Sequence, residues 1–216
     1  MFSMFSPSER EDAAQDCKVL RLAQGDMIFR AGEACEEFHF IITGHIKLYI
    51  ASPSGQEKII DYVGPGNSFA EEMMFLNKPH TLNAQALTDT MLVSVSKQAV
   101  MDAIARDARV AMQIMSDLSH RLNSMRQDIG GYVLQSGMQR LIDFLLKDFE
   151  GEDTATLGMV TVTLPVSKAT IASRLSLTPE YFSRVLHELE TAKIIEIRKR
   201  EICILDAHRL ASYGAH

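Results

Sequence analysis

The N-terminal part of the chain places apolar residues at every second position. Three such segments are Phe38, Phe40 and Ile42; Ile46, Leu48 and Ile50; and Met91, Val93 and Val95. Turn-forming residues separate the segments at short intervals, as at positions 53–55 and 64–67. Many short, half-buried strands joined by tight turns are typical of an antiparallel barrel or roll. Residues 19–96 are therefore predicted to form a β-roll.

From Lys97 onward the apolar spacing changes to that of a helix. Between Ala108 and Tyr132 the apolar residues are alternately three and four positions apart, which is a heptad pattern. Its middle consists of Met115, Leu118, Leu122, Met125 and Ile129, hereafter the apolar stripe. This stripe is narrower than the face by which a helix usually packs on its own domain. A parallel homodimer through this helix is the favoured interpretation, and packing within one domain is the alternative.

Glycines follow the apolar stripe. Because Gly130, Gly131 and Gly137 weaken a helix, residues 130–137 are predicted to form a hinge between two domains. A second helix is expected over residues 136–149, and a polar loop over residues 150–158.

The C-terminal part has the pattern of a helix-turn-helix followed by a hairpin. Thr178-Pro179-Glu180 is a strong helix start: a capping Thr, a Pro at the first position and an acidic residue near the helix dipole. Behind it, Phe182, Val185, Leu186 and Leu189 share one face, while Glu180, Ser183, Arg184 and His187 share the opposite one, hereafter the polar stripe.

The polar stripe contains the residue types that read base edges in DNA. Arg can donate two hydrogen bonds to guanine, a carboxylate can accept one from cytosine, and Ser can bond either kind of edge. In a helix-turn-helix the first turns of the second helix enter the major groove. Glu180, Ser183 and Arg184 are therefore predicted to contact bases; the alternative is the ordinary solvated face of an amphipathic helix.

Charge is distributed unevenly along the chain. The formal net charge is −6, which by itself argues against a nucleic-acid partner. From Thr161 onward, however, there are 8 Lys and Arg against 6 Asp and Glu, leaving 14 against 22 in residues 1–160. The C-terminal quarter is thus the part suited to an anionic partner. Its candidates for phosphate contact are Lys168, Arg174, His187, Lys193, Arg198, Lys199 and Arg200.

Composition excludes several classes of protein. With 46% hydrophobic and 23% charged residues the chain is expected to be globular, and no apolar run approaches the ~20 residues that span a bilayer. No signal peptide is recognisable, so a cytoplasmic location is expected. Cys17, Cys35 and Cys203 are too widely spaced for a metal site and odd in number, which argues against a disulfide framework. A cupin-like metal oxygenase would need clustered ligands, but His39 and His45 are six positions apart.

These motifs, in this order, resemble the cyclic-AMP receptor protein and fumarate-nitrate regulator (CRP/FNR) superfamily of bacterial transcription factors. The resemblance extends from about residue 19 and includes Gly25-Asp26, the segment 42–47 and Gly55-Gln56-Glu57. Residues 180–184 are similar to the E-x-x-S-R signature of the fumarate-nitrate type, which implies half-sites of the kind TTGAT or TTGAC. Double-stranded DNA, a second copy of the chain and RNA polymerase are the implied partners; no enzymatic activity and no membrane partner are expected.

The resemblance implies an α+β fold class and a division into four parts. The expected parts are an N-terminal segment (1–18), an antiparallel β-roll sensor domain (19–96), a long dimerisation helix with its hinge (97–135), and a winged helix-turn-helix domain that binds DNA (136–216).

The sensor region departs from the cyclic-AMP-binding members. Where those carry Gly-Glu and Arg-Ser pairs for the ribose and phosphate, this chain has Glu71-Glu72 and Leu82-Asn83. A phosphate would lose its guanidinium and meet an additional carboxylate, so no cyclic AMP is expected. The expected pocket residues are Phe69, Glu72, Met73, Met74, Leu82 and Asn83.

Relatives in this superfamily also sense through an iron–sulfur cluster or through haem. With only Cys17 near the N-terminus, the cysteine cluster of an iron–sulfur sensor is missing, so no such cluster is expected. The Met-rich segment 69–76 resembles the dissimilatory nitrate respiration regulator (Dnr) branch, which implies nitric oxide sensing through haem. His39, His45 and His80 are the candidate axial ligands in this region. The alternative is a regulator without a ligand, or one controlled by a redox or protein signal.

Overall fold

The structure is a computed structural model that describes residues 17–149 and 158–213. The chain divides into two compact units, with the boundary between Ser124 and Met125. The strands are β1 (Cys17–Leu22), β2 (Met27–Phe29), β3 (Glu37–Thr43), β4 (Ile46–Ala51), β5 (Glu57–Val63), β6 (Ser68–Phe69), β7 (Asn83–Ala86), β8 (Thr90–Ser96), β9 (Val160–Thr163), β10 (Ile195–Arg198) and β11 (Glu201–Ile204). The helices are α1 (Glu71–Leu76), α2 (Lys97–Arg106), α3 (Ala108–Leu134), α4 (Gly137–Leu146), α5 (Lys168–Arg174), α6 (Pro179–Thr191) and α7 (Ala207–Ser212), with a 3-10 turn at Lys147–Phe149.

Two antiparallel four-stranded sheets form the β-roll of the first unit. Their orders are β1-β8-β3-β6 and β2-β7-β4-β5. Their inner faces share one apolar cluster, in which Ile41, Ile46, Phe69, Ala84 and Leu92 are almost completely buried. The predicted α+β architecture, with an antiparallel roll, a long helix and a C-terminal helix-turn-helix, is confirmed.

The strict period of two was wrong in detail for two strands. Ile42 and Ile50 were expected to alternate with polar neighbours, but both are exposed, while Ile41 and Tyr49 are buried. The register of β3 shifts between Ile41 and Thr43, and that of β4 between Leu48 and Tyr49. A β-bulge adds one residue to a strand and so moves the following side chains to the other face, which accounts for Tyr49 and Ile50 of β4. In β3 the inner face is instead the one that carries His39 and Ile41, so Ile42 lies on the outer face by simple alternation.

Three helices pack against the β-roll. Met74 of α1, Val100 of α2 and Ile114 of α3 pack with Phe38 and Val95 in a second apolar cluster. The interval 97–135 contains two helices rather than one, because Asp107 has an extended backbone (φ −144, ψ 106). Helix α3 then continues through both glycines of its C-terminal part to Leu134, so the backbone shows no break at Gly130 or Gly131.

The second unit is a winged helix-turn-helix. Helix α4 begins with a capping box, in which Ser136 and Gln139 each bond the other's backbone N–H. Helices α5 and α6 follow, and the sheet has the order β10-β11-β9 with antiparallel pairing. None of the helices in the described ranges is long and apolar enough to cross a membrane.

Candidate nucleic-acid interface and sensor region

The turn between α5 and α6 fixes where α6 begins. Ser176 has a left-handed backbone (φ 56), and the backbone N–H of Leu177 donates to the carbonyl of Ala172 at 2.9 Å. The Thr178 hydroxyl then accepts a hydrogen bond from the backbone N–H of Tyr181 at 3.2 Å, with Pro179 at the first helical position. The tight turn and the side-chain cap together define the direction of α6.

Helix α6 buries one face and presents the other to solvent. Phe182, Val185, Leu186 and Leu189 are each at most 1% exposed. Glu180, Ser183 and Arg184 of the polar stripe are exposed, and within the described residues none of their side chains has a hydrogen bond or ion pair. Their donors and acceptors are therefore available to a ligand.

The candidates for phosphate contact differ in how exposed their side chains are and in whether they already have a partner within the protein. Lys199 is exposed in the hairpin turn with φ 58, and Lys168 is half-buried at the start of α5. Arg200 donates to the carbonyl of Pro165 at 3.0 Å, which holds the wing turn against the segment before α5. His187 is exposed, with its Nδ1 3.9 Å from a carboxylate oxygen of Glu190.

Two further cations lie on the same unit. Arg198 pairs with Glu196 at 2.9 Å, and this contact raises the pKa of Arg198 and lowers that of Glu196. Lys193 is exposed and has a left-handed backbone (φ 54) just after α6.

Arg174, the remaining candidate for phosphate contact, is engaged within the protein. Its side chain is largely buried, and its Nη2 donates to a carboxylate oxygen of Asp128 on α3 at 2.7 Å. The carbonyl oxygen of Arg174 also accepts a hydrogen bond from the Tyr132 hydroxyl at 2.6 Å. Arg174 therefore joins α5 to the C-terminal part of α3, and both belong to the second unit. Because its charge is buried with a partner, the guanidinium is not available to a DNA phosphate.

The predicted sensor pocket is not one continuous group of residues. Phe69 and Met74 are completely buried in the two different apolar clusters, so neither lines an open site. Leu82 packs at the edge of the first cluster, and Met73 is half-buried. Asn83 is engaged with the backbone, since its amide donates to Tyr49 O at 3.3 Å and its oxygen accepts from Ala31 N at 3.2 Å.

The two adjacent carboxylates of α1 have different surroundings. Glu71 is buried and forms an ion pair with Arg121 of α3 at 3.2 Å; Arg121 also donates to the carbonyl of Ser68. Glu72 has a buried oxygen with no hydrogen-bond partner among the described residues, and burial raises the pKa of this carboxyl. The sensor segment is thus joined to α3 by Arg121, a contact that the sequence pattern does not indicate.

Comparison with known proteins identifies both units. Residues 19–107 match the cyclic nucleotide-binding domain family, and residues 139–213 match the Crp-like helix-turn-helix domain family. A CRP-like cAMP-activated global transcriptional regulator from Mycobacterium tuberculosis is 23% identical, over 98% of this chain and 94% of its own length. FixK2 from Bradyrhizobium japonicum has the same fold, at 24% identity and a TM-score of 0.78, over 93% of this chain and 98% of its own.

This chain belongs to the CRP/FNR superfamily. Its relatives are regulators of transcription rather than enzymes. DNR from Pseudomonas aeruginosa is 32% identical over 97% of this chain and 91% of its own, but with a TM-score of 0.49. The branch within the superfamily is therefore still a prediction.

The backbone just before α1 has an unusual conformation. Ala70 has a left-handed backbone (φ 74), a conformation that favours glycine. The next residue, Glu71, is already paired with Arg121.

Two of the three candidate histidines of the β-roll, His39 and His80, are engaged by neighbouring side chains. His39 is 3% exposed, and its Nδ1 lies 2.8 Å from the Ser94 hydroxyl; burial and the nearby His80 lower the pKa of His39 to about 4. The ring of His80 is stacked on Phe29 with centroids 3.5 Å apart, and burial lowers its pKa as well. His45 contacts Gly64, leaving no space for a side chain there. Among the described residues, no three His, Cys, Asp or Glu side chains are grouped to hold a metal.

The apolar stripe of α3 is largely exposed in the single chain. Met115 and Leu122 are each 51% exposed, Met125 44% and Ile129 61%, while Leu118 is half-buried beside the second apolar cluster. The adjacent side of α3 packs on the β-roll through Val110 and Ile114, with Leu118 at the border between the two.

Proposed function

We propose that this chain is a dimeric, sequence-specific regulator that reads a TTGAT/TTGAC-like palindrome with Glu180, Ser183 and Arg184. One observation carries the proposal: these three exposed side chains have unpaired polar groups, on a helix whose opposite face is buried. A purely structural surface helix commonly pairs such charges within three or four positions. Here Glu180 and Arg184 are four apart and remain unpaired within the described residues.

The proposal assigns affinity and specificity to different residues. Lys168 and Lys199 are proposed to bind phosphates, with Arg200 and His187 as further candidates, and such contacts position a protein without reading sequence. Arg174 is excluded from this set because it pairs with Asp128.

The proposed dimer is formed through the apolar stripe. Four of its five side chains are more than 40% exposed in the single chain, and a contiguous apolar surface of this kind usually marks an interface. Two recognition helices related by a dyad would reach half-sites one helical turn, about 34 Å, apart. A palindromic site follows from that symmetry.

Fluorescence anisotropy with a labelled TTGAT palindrome and a scrambled duplex tests the proposal. Arg184→Ala should weaken the cognate complex by about 1–3 kcal/mol and lower the ratio of cognate to scrambled affinity. The matched variant Lys199→Ala should weaken both complexes about equally, and the affinity should then depend less on salt concentration. An unchanged ratio for Arg184→Ala would refute the assignment of this helix to the major groove.

For the sensor domain we propose that cyclic AMP is not the effector. Glu71 is paired with Arg121, Glu72 is adjacent, and Leu82-Asn83 supply no cation for a phosphate. Titration calorimetry with cyclic AMP should give no heat of binding. A micromolar dissociation constant would contradict this part of the proposal.

Nitric oxide sensing through haem is the effector hypothesis implied by the resemblance to the Dnr branch. The engaged rings of His39 and His80 do not support it, and they favour the alternative of a regulator without haem. Absorption spectra of protein purified without oxygen distinguish the two. A Soret band that shifts with nitric oxide would establish haem sensing; a featureless spectrum with full DNA binding would establish the alternative. We also propose, by resemblance, that the DNA-bound dimer contacts RNA polymerase in the cytoplasm.

A further inference from the structure

Tyr181 lies beside the polar stripe and contacts one of its members. The guanidinium carbon of Arg184 is 4.8 Å from the centroid of the Tyr181 ring, which is the distance of a cation–π contact. Tyr181 is half-buried and precedes Arg184 by three positions, so the two side chains are neighbours on one side of α6.

The Tyr181 ring also packs against the start of α4. A Cβ atom built on Gly137 would lie 2.7 Å from Cε1 of Tyr181 and 2.7 Å from Cδ2 of Leu177. Real side-chain atoms do not approach so closely, so the ring occupies the space that the absent side chain of Gly137 leaves. The ring thus contacts both the first residue of α4 and the guanidinium of Arg184.

The contact with the Tyr181 ring uses none of the N–H donors of Arg184 in a hydrogen bond. Arg184 forms no hydrogen bond or ion pair among the described residues, so its N–H donors remain available. Side chains on a helix lean toward its N-terminus, and a contact with the residue three positions earlier directs Arg184 the same way. In a helix-turn-helix that N-terminal end is the one that approaches the bases.

We propose that Tyr181 is a positioning residue that orients the Arg184 guanidinium before DNA binds, so that its edge faces the groove. The ring restricts the rotamers of a long, flexible side chain, and the entropy lost on binding is then smaller. The inference rests on the proposed function, because it takes Arg184 as a residue that reads bases. It adds a specificity determinant that itself makes no base contact.

The test compares variants at position 181 in the full-length protein. Tyr181→Leu keeps an apolar side chain against Gly137 and Leu177 but removes the ring; Tyr181→Phe keeps the ring. Anisotropy is measured on the TTGAT palindrome and on palindromes with one substituted base pair in each half-site. Tyr181→Leu should lower discrimination roughly two- to fivefold at the pair to which Arg184→Ala is sensitive, whereas Tyr181→Phe should resemble the unmodified protein.

Two further measurements separate positioning from a structural role. In an Arg184→Ala background, Tyr181→Leu should cause no additional loss of discrimination; an equal loss there would overturn the inference. Pentafluorophenylalanine at position 181 preserves the ring's shape but reverses its quadrupole, so it should lower discrimination even if Tyr181→Leu folds poorly. Full discrimination with this fluorinated ring would overturn the inference.

The outcome also distinguishes the inference from the proposed function. If Arg184→Ala lowers discrimination but Tyr181→Leu leaves it unchanged in a folded protein, Tyr181 does not position the guanidinium and the proposed function stands. If Arg184→Ala itself leaves discrimination unchanged, the proposed function fails whatever Tyr181 does.

Discussion

At the scale of single residues, cations of the same chemistry in the second unit have different surroundings. The exposed positions of Glu180, Ser183 and Arg184 follow from helical periodicity, because α6 has a clear apolar face. Arg174 has the same chemistry as a phosphate-binding cation, yet it is buried with Asp128, which is 46 positions earlier. No local pattern encodes a contact at that separation, and the same is true of Arg121 with Glu71.

Buried His39 should make stability depend on pH. Its pKa is about 4 in the folded protein against an ordinary value of 6.5, so the unfolded chain binds the proton more readily. Stability should therefore be full above about pH 6.5 and fall by about 3 kcal/mol as the pH drops to about 4. The charged or polar groups facing the ring are His80 and Ser94, and protonation of His80 would act in the same direction.

Urea denaturation followed by circular dichroism at several pH values measures this effect. His39→Asn removes the titrating group, so the free energy of unfolding should vary less with pH between pH 6.5 and 4. The exposed His120 in the same unit provides the control, since His120→Asn should leave the dependence unchanged. If the free energy of unfolding falls with pH equally steeply in His39→Asn and in the unmodified protein, the prediction is contradicted.

Cys35 should be an unreactive thiol. Burial and the neighbouring Glu72 carboxylate raise the pKa of Cys35 to about 11, so its thiolate is scarce at neutral pH. Iodoacetamide labelling at pH 8, mapped by mass spectrometry, should be slow at Cys35. Glu72→Gln removes the second cause of the raised pKa and should accelerate labelling. Fast labelling of Cys35 in the unmodified protein would contradict the prediction.

At the scale of helices and strands, the pattern predicts the order of elements but not their irregularities. The segments around Phe38, Ile46 and Val93 are strands as expected, and the heptad spacing lies within α3. The bulge in β4 that exposes Ile50 is missed, because a bulge is set by pairing with another strand rather than by the alternation itself. In β3 the alternation does not reveal that the face of His39 and Ile41 is the inner one. The separation of α2 from α3 at Asp107 is missed for a similar reason, since apolar spacing is helical on both sides of it.

The glycines near the end of α3 should respond differently to substitution. Gly130 is within the helix and a Cβ there would meet nothing within 4 Å, whereas Gly137 is packed against Leu177 and Tyr181. Gly130→Ala should thus raise the free energy of unfolding by about 0.5–1 kcal/mol. Gly137→Ala should lower it and reduce DNA discrimination, because the Tyr181 ring must move.

Thermal unfolding and anisotropy on the two variants test both statements, and each variant is the control for the other. If Gly130→Ala is stable but no longer binds DNA, flexibility at Gly130 is needed and the predicted hinge is supported. If Gly137→Ala matches the unmodified protein in both assays, its contact with Tyr181 has no consequence.

At the scale of the whole molecule, the charge asymmetry lies within the second unit, which begins at Met125. The net charge of −6 results from an acidic residue range 1–160 and a slightly basic range 161–216, and the latter is the part of the second unit that holds the exposed polar stripe. Helix α3 spans the boundary at residues 124 and 125: Arg121 contacts α1 in the first unit, and Asp128 contacts α5 in the second. The apolar stripe extends over both parts of this helix.

Specific DNA binding should depend on association through the apolar stripe. Leu122→Glu places a charge at a position that is 51% exposed in the single chain, so the isolated fold should tolerate it. In a dimer the same carboxylate would lie against its copy without a partner, and desolvation and repulsion would oppose association. The matched control is Gln127→Glu, which adds the same charge on another, exposed face of α3.

Sedimentation velocity and anisotropy on the palindrome should separate the two variants. Leu122→Glu should sediment as a monomer and lose most of its affinity for the full palindrome. A single half-site needs only one recognition helix, so the variant should bind it as weakly as the unmodified protein does. Gln127→Glu should remain dimeric with unchanged affinity. A dimeric Leu122→Glu protein that binds the palindrome normally would show that the apolar stripe packs elsewhere, because an unpaired charge cannot be buried at a symmetric helix contact without measurable cost.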